Sequence, residues 1–144
     1  MSSPNWTIRP ATKADLTIIE RWLATTGELD SLAVNWPTTL RVFNEKGILV
    51  VADKSDEAVA YFWGSLETGE SILEVRHDLR RHGIGSYLVS FLIAEARADG
   101  ASELMVECSP HTSTTFWQKM GFTISRIDHK FIGRGRLTEL ANAI

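Results

Sequence analysis

The run SILEVRHDLRRHGIGSYLVSFLIAEARADG, residues 71–100, constrains the fold more than any other stretch of the chain. It opens on SILEVRH, an alternating run that reads as a strand, and passes at once to two glycines, Gly83 and Gly85. Ile84, Leu88, Phe91 and Leu92 then fall at i, i+4, i+7 and i+8, one face of a helix that stops at Gly100. A helix entered this way points its first unpaired N–H groups, and the positive end of its dipole, at whatever lies in front of the turn. That is an anion site. Without side chains at Gly83 and Gly85, an anion can approach the amides of residues 81–86 directly. Arg76, His77, Arg80, Arg81 and His82 form a basic island within seven residues beside them.

The rest of the chain alternates strands and helices. WTIRPA reads as a short strand broken by proline, Thr12 and Asp15 have the spacing of a capping box, and Leu16, Ile19 and Leu23 recur at helical spacing until Gly27. WPTTLRVFNEKG predicts a short second helix between its proline and its glycine. GILVVAD and AVAYFWGSL, separated by the polar KSDE, read as a hairpin. ELMVEC predicts a strand, TSTTFWQKM a short helix closed by Gly121, and FTISRIDHKFI one further strand; RLTELANAI fits a strand or a helix. Meandering strands followed by a strand-helix-strand crossover predict an α/β domain with a mixed sheet. No repeat or linker marks a boundary, so residues 1–144 read as one domain.

Bulk properties narrow the function classes. With 44% hydrophobic and 23% charged residues the chain has the composition of a globular protein, and no apolar run approaches the ~18 residues of a spanning helix. The opening MSSPNWTIRP lacks the pattern of a secretory signal, which predicts a cytoplasmic protein with no membrane partner. A net charge of -3 argues against nucleic acid as a general partner. The single cysteine, Cys108, excludes an internal disulfide and a multi-cysteine zinc site, no metal is expected, and its apolar context ELMVECSP reads as a buried thiol.

Three ligand classes use glycine turns of this kind. A Walker-type G-x-x-x-x-G-K-[ST] is absent, and a dinucleotide G-x-G-x-x-G fails at Leu88, although Glu103 lies near the expected distance for a ribose-binding acid. The third is the Q/R-x-x-G-x-G/A loop of the GNAT acyltransferases, which Arg80, Gly83 and Gly85 fill. TTFWQKMGF, residues 114–122, resembles that family's F-Y-x-K-x-G-F segment, and it follows after one predicted helix and one predicted strand. TIRPATKADL looks like the family's opening, and Val75 sits five residues before Arg80 as in its V-x-P-x-x-R/Q-x-x-G run, with His77 in place of the proline. Over about residues 6–138 the chain therefore resembles a GNAT-family N-acetyltransferase.

The resemblance implies a mixed, mostly antiparallel central sheet flanked by helices, with a splayed V between its two central strands. It implies acetyl-CoA as cofactor, with main-chain groups of Val75 and Arg76 pairing with the pantetheine and residues 81–86 holding the pyrophosphate. The cofactor-binding set is then Val75, Arg76, Arg80, Arg81, His82, Gly83, Ile84, Gly85, Ser86 and Trp117. An alkylamine acceptor resembles lysine, with a reference pKa of about 10.4, so a base must take its proton. Glu74 and Glu70 are the candidates, with Glu67, His77 and His111 as alternatives. Trp117 replaces a tyrosine that in many relatives is thought to protonate the leaving thiolate, and indole cannot do this. Thiols, with reference pKa values near 8.5, can leave largely as anions, so turnover survives the replacement. Pro110 stands where many relatives have an asparagine that helps anchor the cofactor, a loss that Ser109 or Thr112 could offset. Trp36, Phe43 and Trp63 read as core rather than pocket.

The expected activity is acetyl transfer from acetyl-CoA to a primary amine, on a small molecule or a peptide, by direct attack in a ternary complex. The alternatives are a non-catalytic acyl-CoA-binding or regulatory module and a nucleotide or nucleic-acid binder using the basic island. A homodimer is compatible with the family.

Overall fold

A computed structural model describes residues 5–24, 47–108 and 113–140, and the chain divides into two compact units, Met1–Trp63 with Ile72–Gly85 and Gly64–Ser71 with Ser86–Ile144. The second predicted helix, Gly27, Trp36 and Phe43 lie outside the described residues, as do Ser109, Pro110, His111 and Thr112.

The first unit is built on an antiparallel sheet in the order β1-β2-β3-β4, formed by β1 (Thr7–Pro10), β2 (Ile48–Ala52), β3 (Ala58–Ser65) and β4 (Glu70–Val75). The helix α1 (Lys13–Ala24) covers one face of it. Its start is the reciprocal capping box: the Asp15 N–H donates to Thr12 Oγ1 at 3.2 Å and the Thr12 N–H to Asp15 Oδ2 at 2.7 Å. Leu16, Ile19, Trp22 and Leu23 bury against Ile48, Val50 and Tyr61, and Trp22 Nε1 donates to the Ala58 carbonyl at 3.2 Å. Trp63 and Ile72 pack on the same cluster, which supports the core reading of Trp63. The KSDE turn is held by the Asp53 carboxylate, which accepts from the N–H groups of Ser55 and Glu57. Just beyond the turn the β2/β3 register shifts: Val51 faces Ala60 but Ala52 faces Ala58, leaving Val59 as the extra residue of a bulge. The bulge places Ala58 and Tyr61, three residues apart, in one core cluster.

In the second unit the antiparallel sheet runs β5-β7-β6, from β5 (Glu103–Glu107), β6 (Thr123–Ile127) and β7 (Lys130–Arg136). The segment FTISRIDHKFI is thus two strands rather than the single one predicted. Asp128 takes φ 57°, a left-handed conformation that aspartate tolerates, and turns the chain between them. Helix α2 (Ile84–Ala98) ends just before Gly100, as expected, and α3 (Thr114–Lys119) just before Gly121. The stripe that α2 buries differs from the sequence reading. Ile84 and Leu88 are buried as predicted, but Val89, Ile93 and Ala96 complete the stripe, while Phe91 and Leu92 are only half-buried at its margins. After β7 the chain turns through residues 137–139, so up to Leu140 the tail is neither strand nor helix. Cys108 is buried, and burial pushes its thiol pKa up, as fits a packing role. Among the described residues no helix is long and apolar enough to cross a membrane.

Candidate functional site

The site is assembled within the first unit, where β4 ends and the chain turns toward α2. β4 is the last strand of its sheet. The Arg76 N–H donates inward to the Val59 carbonyl at 2.8 Å, and the Arg76 carbonyl accepts from Leu79. Backbone groups alternate between the two sides of a strand, so the preceding residue, Val75, turns its N–H and C=O to the open edge. Its carbonyl accepts there from Arg80 Nε at 3.4 Å. Of the two residues expected to offer main-chain groups to a ligand, Val75 is placed to do so, and Arg76 has both groups engaged within the chain.

The Arg76 side chain is also engaged. Its Nε donates to Asp78 at 2.7 Å and its Nη1 to Glu57 at 3.1 Å, so its charge is matched by two carboxylates. The Asp78 carboxyl is held below the usual carboxylate range chiefly by the Arg76 hydrogen bond. With Trp6, Lys54 and Leu79, Arg76 lines an open groove of about 330 Å³ to which none of residues 80–86 contributes. The basic island is therefore divided. Asp78, two residues after Arg76, was the sequence signal for this.

A short 3-10 turn, His77–Leu79, separates the strand from the glycines, where the sequence predicted direct passage. Arg80 is extended, Arg81 lies at φ 70° and Gly83 at φ 83°. A left-handed conformation costs an L-residue about 1–2 kcal/mol, which glycine avoids at one of these positions and Arg81 bears at the other. A Cβ added at Gly83 would meet nothing within 4 Å, so what calls for glycine there is its backbone conformation. The N–H groups of Arg81, His82 and Gly83 find no backbone acceptor among the described residues, and they lead into the unpaired first turn of α2. The Arg81 and His82 side chains are exposed, with His82 Nδ1 3.1 Å from the Arg80 carbonyl. Ile84 is buried, Gly85 half-buried and Ser86 exposed. The result is a row of amides with no backbone acceptor among the described residues, of the kind that phosphate oxygens accept from.

Glu74 stands beside this turn and is the more informative of the two candidate bases. It is 8% exposed, and its carboxylate lies 3.7 Å from Arg80 Nη2. Glu74 shares a strand face with Ile72, which packs on the α1 core, so its side chain enters the face that holds Tyr61. Burial, and after it the negative charge of Glu74, push the Tyr61 phenol well above its ordinary value. Sequence reasoning missed Tyr61 as the neighbour of Glu74, because cross-strand partnership is invisible before the register is known. The Glu70 side chain is outside the described residues; Glu67 is exposed in a turn and His77 in the 3-10 turn.

Trp117 belongs to the second unit. It is 5% exposed and meets Phe116 and Phe122 edge-on, with ring centroids 5.0 and 5.2 Å apart. This is a packing role. Trp117→Phe keeps most of any catalytic activity, whereas Trp117→Ala lowers stability by about 3–5 kcal/mol. Urea unfolding of both variants, with the activity of the first, checks this pair of expectations, and a collapse of kcat in well-folded Trp117→Phe contradicts it.

The family profile described as the Acetyltransferase (GNAT) family matches residues 16–122. A tRNA(Met) cytidine acetyltransferase, TmcA, from Aeropyrum pernix is 38% identical over 71 residues, 46% of this chain. The chain spans about a tenth of the length of that curated relative, since the match covers 10% of it. Among solved structures, the phosphinothricin acetyltransferase of Sinorhizobium meliloti in complex with acetyl-CoA superposes with a TM-score of 0.68 at 15% identity, covering 92% of this chain and 89% of that one. An N-acetyltransferase from Staphylococcus aureus Mu50 gives 0.62 at 22% identity, covering 93% and 99%. At these identities the superpositions establish the fold, an α/β arrangement of antiparallel sheets flanked by helices.

Proposed function

The chain belongs to the GNAT acetyltransferase family, and from that premise we propose that it transfers the acetyl group of acetyl-CoA to a primary amine by direct attack in a ternary complex. The observation that carries the reading is the continuity of one short stretch: an open strand edge at Val75, the amide row of residues 81–83 before α2, and a buried carboxylate, Glu74, next to both. We also read the two units as one domain over residues 1–144. The high mutual coverage with single acetyltransferase chains supports this.

The residues present fit the cofactor. Residues 81–86 offer N–H donors to the pyrophosphate, and Val75 offers a donor and an acceptor at the strand edge. When bound, acetyl-CoA supplies a thioester carbonyl activated toward amines. The Val75 N–H would be the donor available to that carbonyl oxygen, where it would favour developing negative charge. Glu74, ionised, takes the proton from the amine nitrogen, directly or through a water. The N–C bond would form as the C–S bond breaks; of the two protons an alkylammonium gives up, Glu74 takes one and the other passes to water or to the departing thiolate, so the chain needs no acid at Trp117. Cys108, buried with its thiol pKa raised, does not fit a covalent route through an acyl-cysteine.

Calorimetric titration of acetyl-CoA tests the reading. Wild type binds, and Gly83→Glu, which sets a carboxylate against the phosphates, weakens binding by at least about 2 kcal/mol, roughly thirtyfold in Kd. Gly83→Asn, which tolerates the left-handed backbone and adds no charge, loses much less. A wild type that does not bind acetyl-CoA removes the proposal. Binding without thiol release, across polyamines, amino acids and peptides, would instead favour a non-catalytic acyl-CoA-binding module.

A further inference from the structure

Arg80 makes two contacts that the proposed cofactor would contest. Its Nη2 lies 3.7 Å from Glu74 Oε1 and its Nε donates to the Val75 carbonyl at 3.4 Å, so one guanidinium spans the buried carboxylate and the outward-facing carbonyl of the strand edge. Both contacts are long for charge-assisted hydrogen bonds, which run near 2.7–2.9 Å. The side chain is 39% exposed and sits directly before the amide row, within the reach of a flexible stem. A dianionic pyrophosphate on residues 81–86 is a stronger partner for a guanidinium than one carboxylate at 3.7 Å. The pantetheine, if it pairs with Val75, also displaces Nε from the carbonyl.

From this geometry we infer that Arg80 is a positioning residue that couples cofactor occupancy to base strength: it pairs with Glu74 in the empty protein and swings to the pyrophosphate in the complex, leaving Glu74 more basic. The inference rests on the acetyl-CoA reading above. Arg80 from the turn and the Tyr61 phenol from β3 face Glu74, and α1 contributes Leu16, Ile19, Trp22 and Leu23 to the core on that face. Arg76, the next cation along the chain, pairs with Asp78 and Glu57 instead. Moving Arg80 away thus removes a positive charge from a buried carboxylate, which disfavours its ionised form. The coupling is reciprocal, so proton binding at Glu74 and cofactor binding favour one another. A carboxylate paired with Arg80 until the cofactor arrives would then take up the amine's proton more readily in the ternary complex than in the empty protein.

The test needs no acceptor. Protein labelled with carboxyl-¹³C glutamate is titrated with acid by NMR, alone and saturated with coenzyme A, with Glu74 assigned through Glu74→Gln. In wild type the Glu74 midpoint moves up on saturation. In Arg80→Gln it starts above the wild-type value without coenzyme A and rises less when the ligand is added, while Arg80→Lys, which keeps the charge, restores the wild-type starting midpoint and the upward move. Calorimetry on the same samples separates the two readings. Coenzyme A that binds wild type while the Glu74 midpoint stays fixed overturns the coupling and leaves the acetyl-CoA site standing. Coenzyme A that does not bind at all overturns both. A midpoint in Arg80→Gln as low as in wild type shows that Arg80 is no electrostatic partner of Glu74, and also overturns the inference.

Discussion

Glu74→Gln lowers kcat by about 10²–10⁴-fold at saturating acetyl-CoA and leaves the Kd for acetyl-CoA within a few-fold of wild type. The first half follows from the chemistry of the acceptor. An alkylammonium near pKa 10.4 is almost wholly protonated at neutral pH, and the nitrogen cannot attack until a base has taken a proton. Glu74 is the one candidate acid whose side chain is both described and buried, and it lies on the strand that runs into the amide row. The second half follows because glutamine has nearly the same volume and its amide oxygen can still accept from Arg80, so neither the core face nor the turn is disturbed. Glu67→Gln, at an exposed turn position, is the control and changes nothing measurable. A Glu74→Gln protein that folds, binds acetyl-CoA and turns over at the wild-type rate moves the base elsewhere, first to Glu70 on the same strand. The assay is thiol release against an amine panel, with kcat and KM separated so that loss of acceptor binding is not mistaken for loss of the base.

Which parts of this site were legible in the sequence follows from how local each signal is. The glycine turn was legible because its constraint is local: Gly83 is the cheapest residue at φ 83°, and a helix-spaced run must follow it. The capping box of Thr12 and Asp15 was legible for the same reason, three residues apart with complementary donors and acceptors. The 3-10 turn His77–Leu79 was not, because HDL carries no glycine or proline to mark a break from the strand. Nor was the hairpin inside FTISRIDHKFI, whose Asp-His pair is a weaker turn signal than Asn-Gly or Asp-Gly. Choosing among Glu67, Glu70 and Glu74 needed the strand faces, and the Val59 bulge in the neighbouring strand shows how one inserted residue defeats counting by alternation. The pairing of Arg76 with Glu57, 19 residues away, depends on tertiary structure alone.

The second large effect is on stability. Asp15→Ala destabilises the fold by about 3–5 kcal/mol, because it removes the buried partner of the Arg9 guanidinium and the helix cap at once and leaves Arg9 only its exposed contact with Asp56. Asp15 is 2% exposed, and its two carboxylate oxygens take Arg9 Nη1 at 2.6 Å and Nη2 at 3.0 Å, together with the Thr12 N–H and hydroxyl at 2.7 and 3.0 Å. Arg9 also reaches Asp56 at 3.0 Å, so one side chain on β1 ties the start of α1 to the β2–β3 turn, where Asp56 sits at φ 63°. Removing the carboxylate therefore breaks the helix cap and the strand-to-helix tie together. In a chain of this size such a loss lowers Tm by roughly 10–15 °C. The pH dependence supplies an independent check. Burial raises the Asp15 carboxyl, but the Arg9 hydrogen bonds and then those of Thr12 outweigh it, and the net value in the folded protein lies below the ordinary one. A carboxyl with a depressed folded value contributes its full stability above the unfolded value, near 3.9, and loses it as pH falls through the folded one. The gap in unfolding free energy between wild type and Asp15→Asn is accordingly widest at neutral pH and narrows below about pH 4. Urea unfolding at pH 7, 5 and 3 measures it. A gap that stays constant with pH would mean that Asp15 acts through its shape and its cap alone, with no contribution from its charge.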